Sequence, residues 1–192
     1  MAHGLSFWGH RSGGTSETTG NIVGNGLQTQ IDVGARISYH WVPYLFYERG
    51  WLPKGHRFDG LGGSASSEFY GIGIYHASGD VDSVAFVSDA SFGLRTIRVS
   101  DGSSDYSMTG LALFNLGFGA EIRIMTLFSI TPMLRLSLGS MDDTQGSVTY
   151  AAERQGDGRS QPDFRDGEVV GNGRMYAVIT LGASVHFDIF GK

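Results

Sequence analysis

The sequence contains no cysteine, only four prolines and only two lysines, Lys54 and Lys192. Without cysteine there are no disulfide bonds and no thiolate metal sites. The cysteine content therefore does not indicate whether the protein lies in an oxidising or a reducing compartment. Soluble β proteins place lysine and glutamate on outward faces and strand edges. Lysine is nearly absent here, beside twelve arginines, so the usual surface of a soluble sheet is missing. Arginine is the residue favoured in buried or confined ion pairs.

The chain also lacks a long apolar run and a recognisable export signal. No stretch of about 18 apolar residues is free of charge, so no transmembrane helix is predicted. The nearest candidate, residues 111–138, is interrupted by Glu121, Arg123, Pro132 and Arg135. The first four residues show neither the basic start nor the apolar run of a signal peptide. We therefore expect either a protein that is not exported or a mature form without its leader.

Glycine and aromatic residues are abundant instead. The 192 residues include 30 glycines, 12 phenylalanines and 8 tyrosines, and only 17% are charged. This combination is typical of crowded, twisted strands rather than of helices. Disorder is not expected, because 41% of the residues are hydrophobic and regularly patterned. The net charge of −5 gives no nucleic-acid footprint. We expect one all-β domain over residues 1–192.

Apolar and polar residues alternate with a period of two along most of the chain, which predicts extended strands with unlike faces. Tight turns are expected at residues 42–43, 79–82 and 125–126. The eight predicted strands are residues 3–10, 27–41, 44–51, 69–77, 84–99, 106–124, 128–139 and 175–189.

The longest alternating stretch is residues 106–124. Every second residue from Tyr106 belongs to an almost wholly apolar set, whereas the interleaved set ends in Glu121 and Arg123. Leu111 and Leu113 fall in the polar set. They are therefore expected on the same side as the charges, which suggests an interior partly packed with side chains.

The connections between the predicted strands alternate between long and short, which indicates an antiparallel meander with its long loops at one end. An even number of such strands is what a membrane-spanning barrel requires, because closure leaves no unpaired backbone edge in lipid. The fold class predicted is an eight-stranded antiparallel up-and-down transmembrane β-barrel with short periplasmic turns and long extracellular loops.

The composition of the two faces indicates which one meets lipid. The apolar faces are uniformly bulky, and eight of them would overfill a bore that is only just wide enough for side chains. The polar faces carry glycine, serine and threonine with scattered charges, which suits a narrow interior. We therefore expect apolar residues in lipid and polar residues in the bore. A soluble lipocalin-like barrel, with the reverse arrangement, is the alternative architecture.

Aromatic residues gather toward the two ends of the predicted strands, as in the interfacial girdles of membrane barrels. The girdle predicted at the short-turn end comprises Tyr39, Trp41, Tyr44, Tyr47 and Phe187. A second band at the long-loop end comprises Phe7, Trp8, Trp51, Tyr70 and Tyr106.

The final strand, with residues 184–190 reading SVHFDIF, is similar to the aromatic terminal strand that outer-membrane barrels offer to their assembly machinery. With its alternating strands, the chain resembles the small eight-stranded outer-membrane barrels of Gram-negative bacteria, of the outer membrane protein A transmembrane-domain type. The resemblance implies a monomer in the outer membrane, contact with outer-membrane lipid and lipopolysaccharide, and a small gated or closed pore. No peptidoglycan-binding domain follows, so a tethering role is not implied.

Several charged residues of the polar faces are expected to meet in the bore. They are Arg36, Asp89, Glu121, Arg123, Arg135, His186 and Asp188. Isolated buried charges are costly, so opposite charges confined in a narrow bore should pair. One hypothesis is a salt-bridge network that plugs or gates a thin water path. The other is a purely structural polar core.

An enzymatic alternative comes from His76-Ala77-Ser78, which resembles the His-x-Ser pair of outer-membrane lipid A deacylases. In that family the histidine is the base and the serine the nucleophile, with a carboxylate orienting the histidine. Asp89 or Asp80 would be the third member here. The histidines show no metal-ligand spacing, and no cofactor is expected. The acidic region 142–172 is expected to be a solvated loop, available for recognition.

Overall fold

Nine β-strands make up the part of the chain that the structure, a computed structural model, describes. That part comprises residues 2–9, 23–38, 40–55, 63–78, 84–100, 102, 105–125, 128–146 and 174–187. The strands are β1 (Ala2–Gly9), β2 (Gly26–Gly34), β3 (Trp41–Leu52), β4 (Ala65–Ser78), β5 (Ala85–Ser100), β6 (Asp105–Met125), β7 (Phe128–Met141), β8 (Asp143–Gly146) and β9 (Arg174–Phe187). Among the described residues, no helix has the length and apolar character needed to cross a membrane.

Eight of these strands form a sheet that closes on itself. The order of hydrogen-bonded neighbours is β5-β4-β3-β2-β1-β9-β7-β6, and β5 also pairs with β6. Every pairing is antiparallel. The predicted all-β, eight-stranded, antiparallel up-and-down barrel is therefore confirmed.

The two ends of the barrel differ in the length of their connections. We call the end with residues 35–40, 79–84 and 126–127 the short-turn end, and the opposite end the long-loop end. The ninth strand, β8, pairs with the long-loop part of β6, from Tyr106↔Gly146 to Thr109↔Asp143. It lies in a region predicted to be loop, because its four residues, three of them polar and one a glycine, show no alternation with apolar residues.

Burial alternates along each strand in the way that a closed, narrow barrel requires. On β7, Thr131 and Ser137 are buried in the bore, whereas Leu134 and Leu136 are exposed on the outside. The side chains of β3 alternate in the same way. Glu48 is buried and points inward. Its neighbour Arg49 is exposed on the outer face.

The connection between β2 and β3 differs from the prediction. The strand predicted over residues 27–41 ends at Gly34, and the turn predicted at residues 42–43 is wrong because Pro43 lies inside β3. The chain reverses earlier: the Ile37 amide donates to the Trp41 carbonyl at 3.1 Å, and the Ala35 amide donates to the Pro43 carbonyl at 3.1 Å. A proline near the start of a strand is tolerated when its missing donor is not required by the ladder.

A β-bulge in β6 overturns the predicted facing of its first half. Leu113 and Phe114 are consecutive, yet both are exposed on the outside, at 52% and 63%. Leu111 is also outside, while Tyr106 is buried at 5%. The expectation that Leu111 and Leu113 face the bore, and that Tyr106 belongs to an aromatic band, is therefore wrong.

The register explains this change of phase. Ser91 pairs with Asn115 and Gly93 with Ala112, so one residue of β5 lies opposite two residues of β6. A bulge of this kind inserts one extra residue and shifts the alternation that follows. Because of the bulge, the set of residues that includes Tyr106 and Met108 faces the bore in the long-loop half of β6, and Leu111 faces outward.

The bulge generates a test with two matched single-residue deletions. Deleting Leu113 leaves Ala112, Phe114 and Asn115 in regular alternation, so we expect the variant to fold. Deleting Leu134 from β7, whose alternation is unbroken, would instead turn Arg135 outward and Leu136 inward, so we expect no folded barrel. Folding is read as heat-modifiable migration on a gel after refolding into detergent micelles. Equal folding of both variants would contradict the bulge.

Candidate functional site

The described buried charges lie inside the barrel and form three tiers. The first tier is nearest the short-turn end. The Tyr75 hydroxyl donates to Glu121 Oε2 at 2.9 Å, and Arg123 Nη2 lies 3.3 Å from Glu121 Oε1. The His186 ring lies against Tyr75, with 5.4 Å between ring centroids. Residues from β4, β6 and β9 therefore meet at this mouth.

The second tier, which we call the crossbar, comprises Gln30, Tyr44, Asp89 and Arg135. The Tyr44 hydroxyl donates to Asp89 Oδ2, and Arg135 Nη1 donates to Gln30 Oε1. Arg135 Nε lies 3.4 Å from Asp89 Oδ1, and this contact joins the Tyr44–Asp89 pair to the Arg135–Gln30 pair. These residues come from β2, β3, β5 and β7, so the crossbar spans the bore from wall to wall.

Glycines make room for the crossbar. A Cβ atom at Gly73 would overlap the ring of Tyr44, which lies across it. A Cβ atom at Gly117 would come within 3.1 Å of Arg135 Cγ and of Asp89 Cβ. A narrow eight-stranded bore has space for large polar side chains only where the facing residues are small. The glycine-rich polar faces are thus the local reason that these side chains fit.

The third tier lies closer to the long-loop end. Arg95 Nη1 is 3.2 Å from Glu48 Oε1, and the side chains of both residues are almost entirely buried. The guanidinium carbon of Arg95 lies 4.3 Å from the ring centroid of Phe69, a cation–π contact. Phe46 meets Phe69 edge to face, with centroids 4.6 Å apart. Charge and aromatic rings together fill this level of the bore.

Beyond the third tier, toward the long-loop end, most of the buried side chains are apolar. The side chains there are buried almost completely, and they pack against one another across the bore. We call this group the apolar plug; its members are Ile97, Val99, Met108, Met141 and Val178. Close packing of buried apolar side chains leaves little space between them.

The structure brings together several of the predicted bore residues. Asp89 and Arg135 meet in the crossbar, and Glu121 and Arg123 meet in the first tier beside His186. Asp188 lies outside the described residues.

Arg36 does not follow the prediction, because it is exposed in the connection after β2. Among the described residues, Ala2 pairs with Gln30, and residues 31–34 of β2 pair with β3 alone. Both faces of residues 31–34 are accordingly exposed.

Sequence reasoning missed Gln30, Glu48, Tyr44 and Tyr75 as members of these tiers. Gln30 could have been found from its position among the polar residues of the predicted strand 27–41. Glu48 adjoins Arg49, and alternation does not indicate which of two neighbouring charges faces inward. Tyr44 and Tyr75 carry no such signal. The Tyr44 ring fits in the bore because Gly73, on the neighbouring strand, leaves room for it.

The predicted aromatic girdle is only partly outward. Trp41 and Tyr47 are exposed on the outer face of β3. Tyr44 is buried with its hydroxyl on Asp89, so its assignment to the girdle is wrong. Tyr47 is six residues from Trp41 on β3, which places it toward the long-loop half. Tyr39 and the side chain of Phe187 lie outside the described part of the structure.

The deacylase-like constellation is not assembled among the described residues. His76 and Ser78 lie on the outer face of β4, and the Ser78 hydroxyl donates to the Phe86 carbonyl at 3.1 Å. Asp89 points into the bore, on the opposite face of the sheet. Asp80 lies outside the described residues. No group of three or more His, Asp or Glu residues in the described part could hold a metal ion.

Comparison with known proteins identifies the fold. No family model matches the chain, and no curated protein sequence matches it. Among solved structures, the neisserial surface protein A is similar over 97% of this chain and 94% of its own, with 12% identity and a TM-score of 0.59. The attachment invasion locus protein of Yersinia pestis is similar over 97% and 95%, with 11% identity and a TM-score of 0.46.

The chain has the fold of a small eight-stranded outer-membrane β-barrel. At 12% identity the similarity shows the fold alone. The three tiers are described from the residues of this chain.

The crossbar generates a stability test. Replacing Asp89 by Ala leaves the Arg135 charge without its partner, which we expect to lower the free energy of unfolding by about 3 kcal/mol. Replacing both residues, in Asp89→Leu with Arg135→Met, should recover most of that loss. Urea unfolding from lipid vesicles measures both.

The matched control is Glu68→Ala, which removes one partner of the outer-face pair Arg49–Glu68. These side chains are 50% and 29% exposed, so the expected loss is below about 1 kcal/mol. An Asp89→Ala variant no less stable than Glu68→Ala would show that the crossbar carries no buried charge.

Proposed function

We propose that the chain is an integral protein of the bacterial outer membrane whose bore is closed by its own side chains. The observation that carries the proposal is the outer surface of the barrel. Large apolar side chains are exposed around it, including Leu45 on β3, Phe92 on β5, Phe118 on β6 and Leu181 on β9. A continuous apolar surface of this extent is unfavourable in water and favourable in lipid.

The spacing of two outward tryptophans on one strand supports the membrane location. Trp41 and Trp51 are both exposed and lie ten residues apart on β3. At about 3.3 Å per residue they are about 33 Å apart along the strand. A strand tilt of about 40° reduces this to about 25 Å along the barrel axis, the height of a lipid-facing band. Tryptophan favours the two membrane interfaces.

The filled interior supports a structural role rather than transport. Two charged tiers, the crossbar and the apolar plug obstruct the bore in succession, and each buried acid faces an arginine. A barrel whose bore is blocked can contact other molecules only through its outer surface and the residues at its two ends. We therefore propose that the long-loop end serves recognition at the cell surface, that the barrel is a monomer inserted by the outer-membrane assembly machinery, and that it is not an enzyme.

The second candidate function is a gated narrow pore. It is favoured by the first tier, where the Arg123 side chain keeps 20% exposure at the short-turn mouth and its partner Glu121 keeps 10%. A gate of this kind would have to move the crossbar and the apolar plug as well. A soluble ligand-binding barrel is disfavoured, because it would carry its apolar side chains inside and its charges outside.

The proposal predicts insertion without permeability. The protein is refolded into vesicles loaded with a small fluorescent dye, and insertion is verified by heat-modifiable migration. We expect dye efflux no faster than from empty vesicles, because the filled bore blocks passage. Efflux from the wild-type protein would contradict the closed bore, and failure to insert would contradict the membrane location.

The same assay separates the gate from the structural core. In the Glu121→Ala variant, the crossbar and the apolar plug still close the bore, so we expect no gain in efflux or in single-channel conductance. A variant that conducts after this single change would favour the gate instead.

A further inference from the structure

Two histidines lie together at the outer rim of the short-turn end. His40 immediately precedes β3 and is exposed, and His76 lies on the outer face of β4, where it is half-buried. The centroids of their rings are 5.9 Å apart. The two residues are far apart in sequence, and they meet because Trp41, the neighbour of His40, pairs with His76 in the ladder between β3 and β4.

The backbone holds His40 in position. The Ala77 amide donates to the His40 carbonyl at 2.9 Å, which continues the ladder one residue beyond Trp41. Within the connection itself, the Ser38 hydroxyl accepts from the amide of His40 at 3.4 Å and from the amide of Trp41 at 3.3 Å. The His40 ring therefore projects from a part of the connection that is tied to β4.

A hydrogen bond determines which nitrogen of His40 is available. Nδ1 of His40 lies 2.9 Å from the carbonyl oxygen of Ala77. A carbonyl only accepts, so Nδ1 carries the proton, and Nε2 of the neutral ring keeps its lone pair. Histidines that bind a metal ion are commonly oriented in this way, with the other ring nitrogen donating to a backbone carbonyl.

The His76 ring is supported from one side only. It packs against the ring of Trp41, with 4.4 Å between centroids and a tilt of 53°. Within the described part of the chain, its nitrogens make no hydrogen bond or ion pair. Each of the two imidazoles thus has a nitrogen free to bind a ligand.

The distance between the rings suits a shared metal ion. Zinc binds imidazole nitrogens at about 2.0–2.1 Å. A ring nitrogen lies about 1.1 Å from its centroid, so two rings on one near-tetrahedral ion have centroids about 5–6 Å apart. The observed separation of 5.9 Å agrees with this range.

The surroundings indicate the class of ion. The residues beside His76 on the outer face of β4, and Ser88 opposite it on β5, carry no charge. Arg36, in the same connection as His40, interacts electrostatically with Tyr75 on the bore side of β4. Imidazole ligands without a carboxylate suit zinc or copper, whereas magnesium and calcium prefer oxygen ligands.

We propose that His40 and His76 together bind one divalent transition-metal ion of the zinc and copper class at the short-turn rim. His40 supplies Nε2, His76 supplies a ring nitrogen, and water completes the coordination. Two protein ligands leave positions at which water exchanges, so the ion is bound reversibly. The site goes beyond the closed bore and surface recognition proposed above, and it depends on neither.

The test follows the histidine rings during a zinc titration. Protein with ¹³C-labelled histidine is refolded into detergent micelles, and the ring signals of His40 and His76 are assigned from the His40→Gln and His76→Gln variants. We expect both rings to shift together, with a single Kd, on addition of Zn²⁺. The ring of His186, which lies against Tyr75 inside the barrel, should not shift.

Each glutamine variant should bind Zn²⁺ at least roughly tenfold more weakly than the wild-type protein, because the second imidazole of a pair binds an ion already held by the first. Glu68→Gln is the matched control, since it removes an exposed polar group from the same strand at the other end of the barrel. It should bind Zn²⁺ as the wild-type protein does. Mg²⁺ at the same concentration should shift neither ring. Heat-modifiable migration verifies that every variant is folded.

Three results would overturn the site. They are a zinc titration in which the two rings do not shift together, equal responses to Zn²⁺ and Mg²⁺, or folded His40→Gln and His76→Gln variants that bind Zn²⁺ as Glu68→Gln does. None of these results bears on the membrane location or on the closed bore, which the vesicle assays test separately.

Discussion

Closure of the hydrogen-bond ladder between β5 and β6 is the constraint on which the rest of the structure depends. Once each of the eight strands has two neighbours, no backbone edge is left over, and the alternation of side chains divides the chain into an inside and an outside. A shift of one residue in this alternation then moves all the following side chains of that strand to the other face. The bulge at Leu113 and Phe114 keeps both of these large residues outside and leaves Ala112 and Asn115 to face the narrow bore.

The interior follows from the same constraint. A bore lined alternately by glycine and by large side chains must be filled from a few positions, so Tyr44, Arg95 and Arg135 reach across it. The charges of the two arginines are balanced by Glu48 and Asp89, since an unpaired charge in such confinement would be costly. The outcome is a core that is polar toward the short-turn end and apolar toward the long-loop end.

Much of this architecture could be predicted from the sequence, and the exceptions have identifiable physical causes. The alternation of β7 is unbroken, so its extent and facing were predicted correctly. The side chains in the first half of β6 were predicted to face the wrong way, because the extra residue of the bulge cannot be recognised from the composition of the strand. Tyr44 was placed in the girdle because the glycine that admits its ring lies 29 residues further on, at Gly73, on another strand.

The candidate site could likewise be predicted only in part. Charges on strands of known facing, such as Asp89 and Arg135, could be assigned to the bore, but their partners could not. Pairing across the bore depends on the register of strands far apart in sequence, as with Gln30 and Arg135, which are 105 residues apart. Arg36 shows the opposite case, because the alternation in the sequence continues past Gly34, where β2 ends.

The division between lipid-facing and bore-facing side chains can be measured without altering the protein. In nanodiscs with methyl-labelled protein, nuclear Overhauser effects report which side-chain methyls contact lipid acyl chains. The structure predicts strong acyl-chain contacts for Leu111, Leu113 and Leu134, which are exposed on the outside, and none for Val87, Ile97 and Val99, which are buried inside. Acyl-chain contacts at the second group, or their absence from the first, would contradict the account.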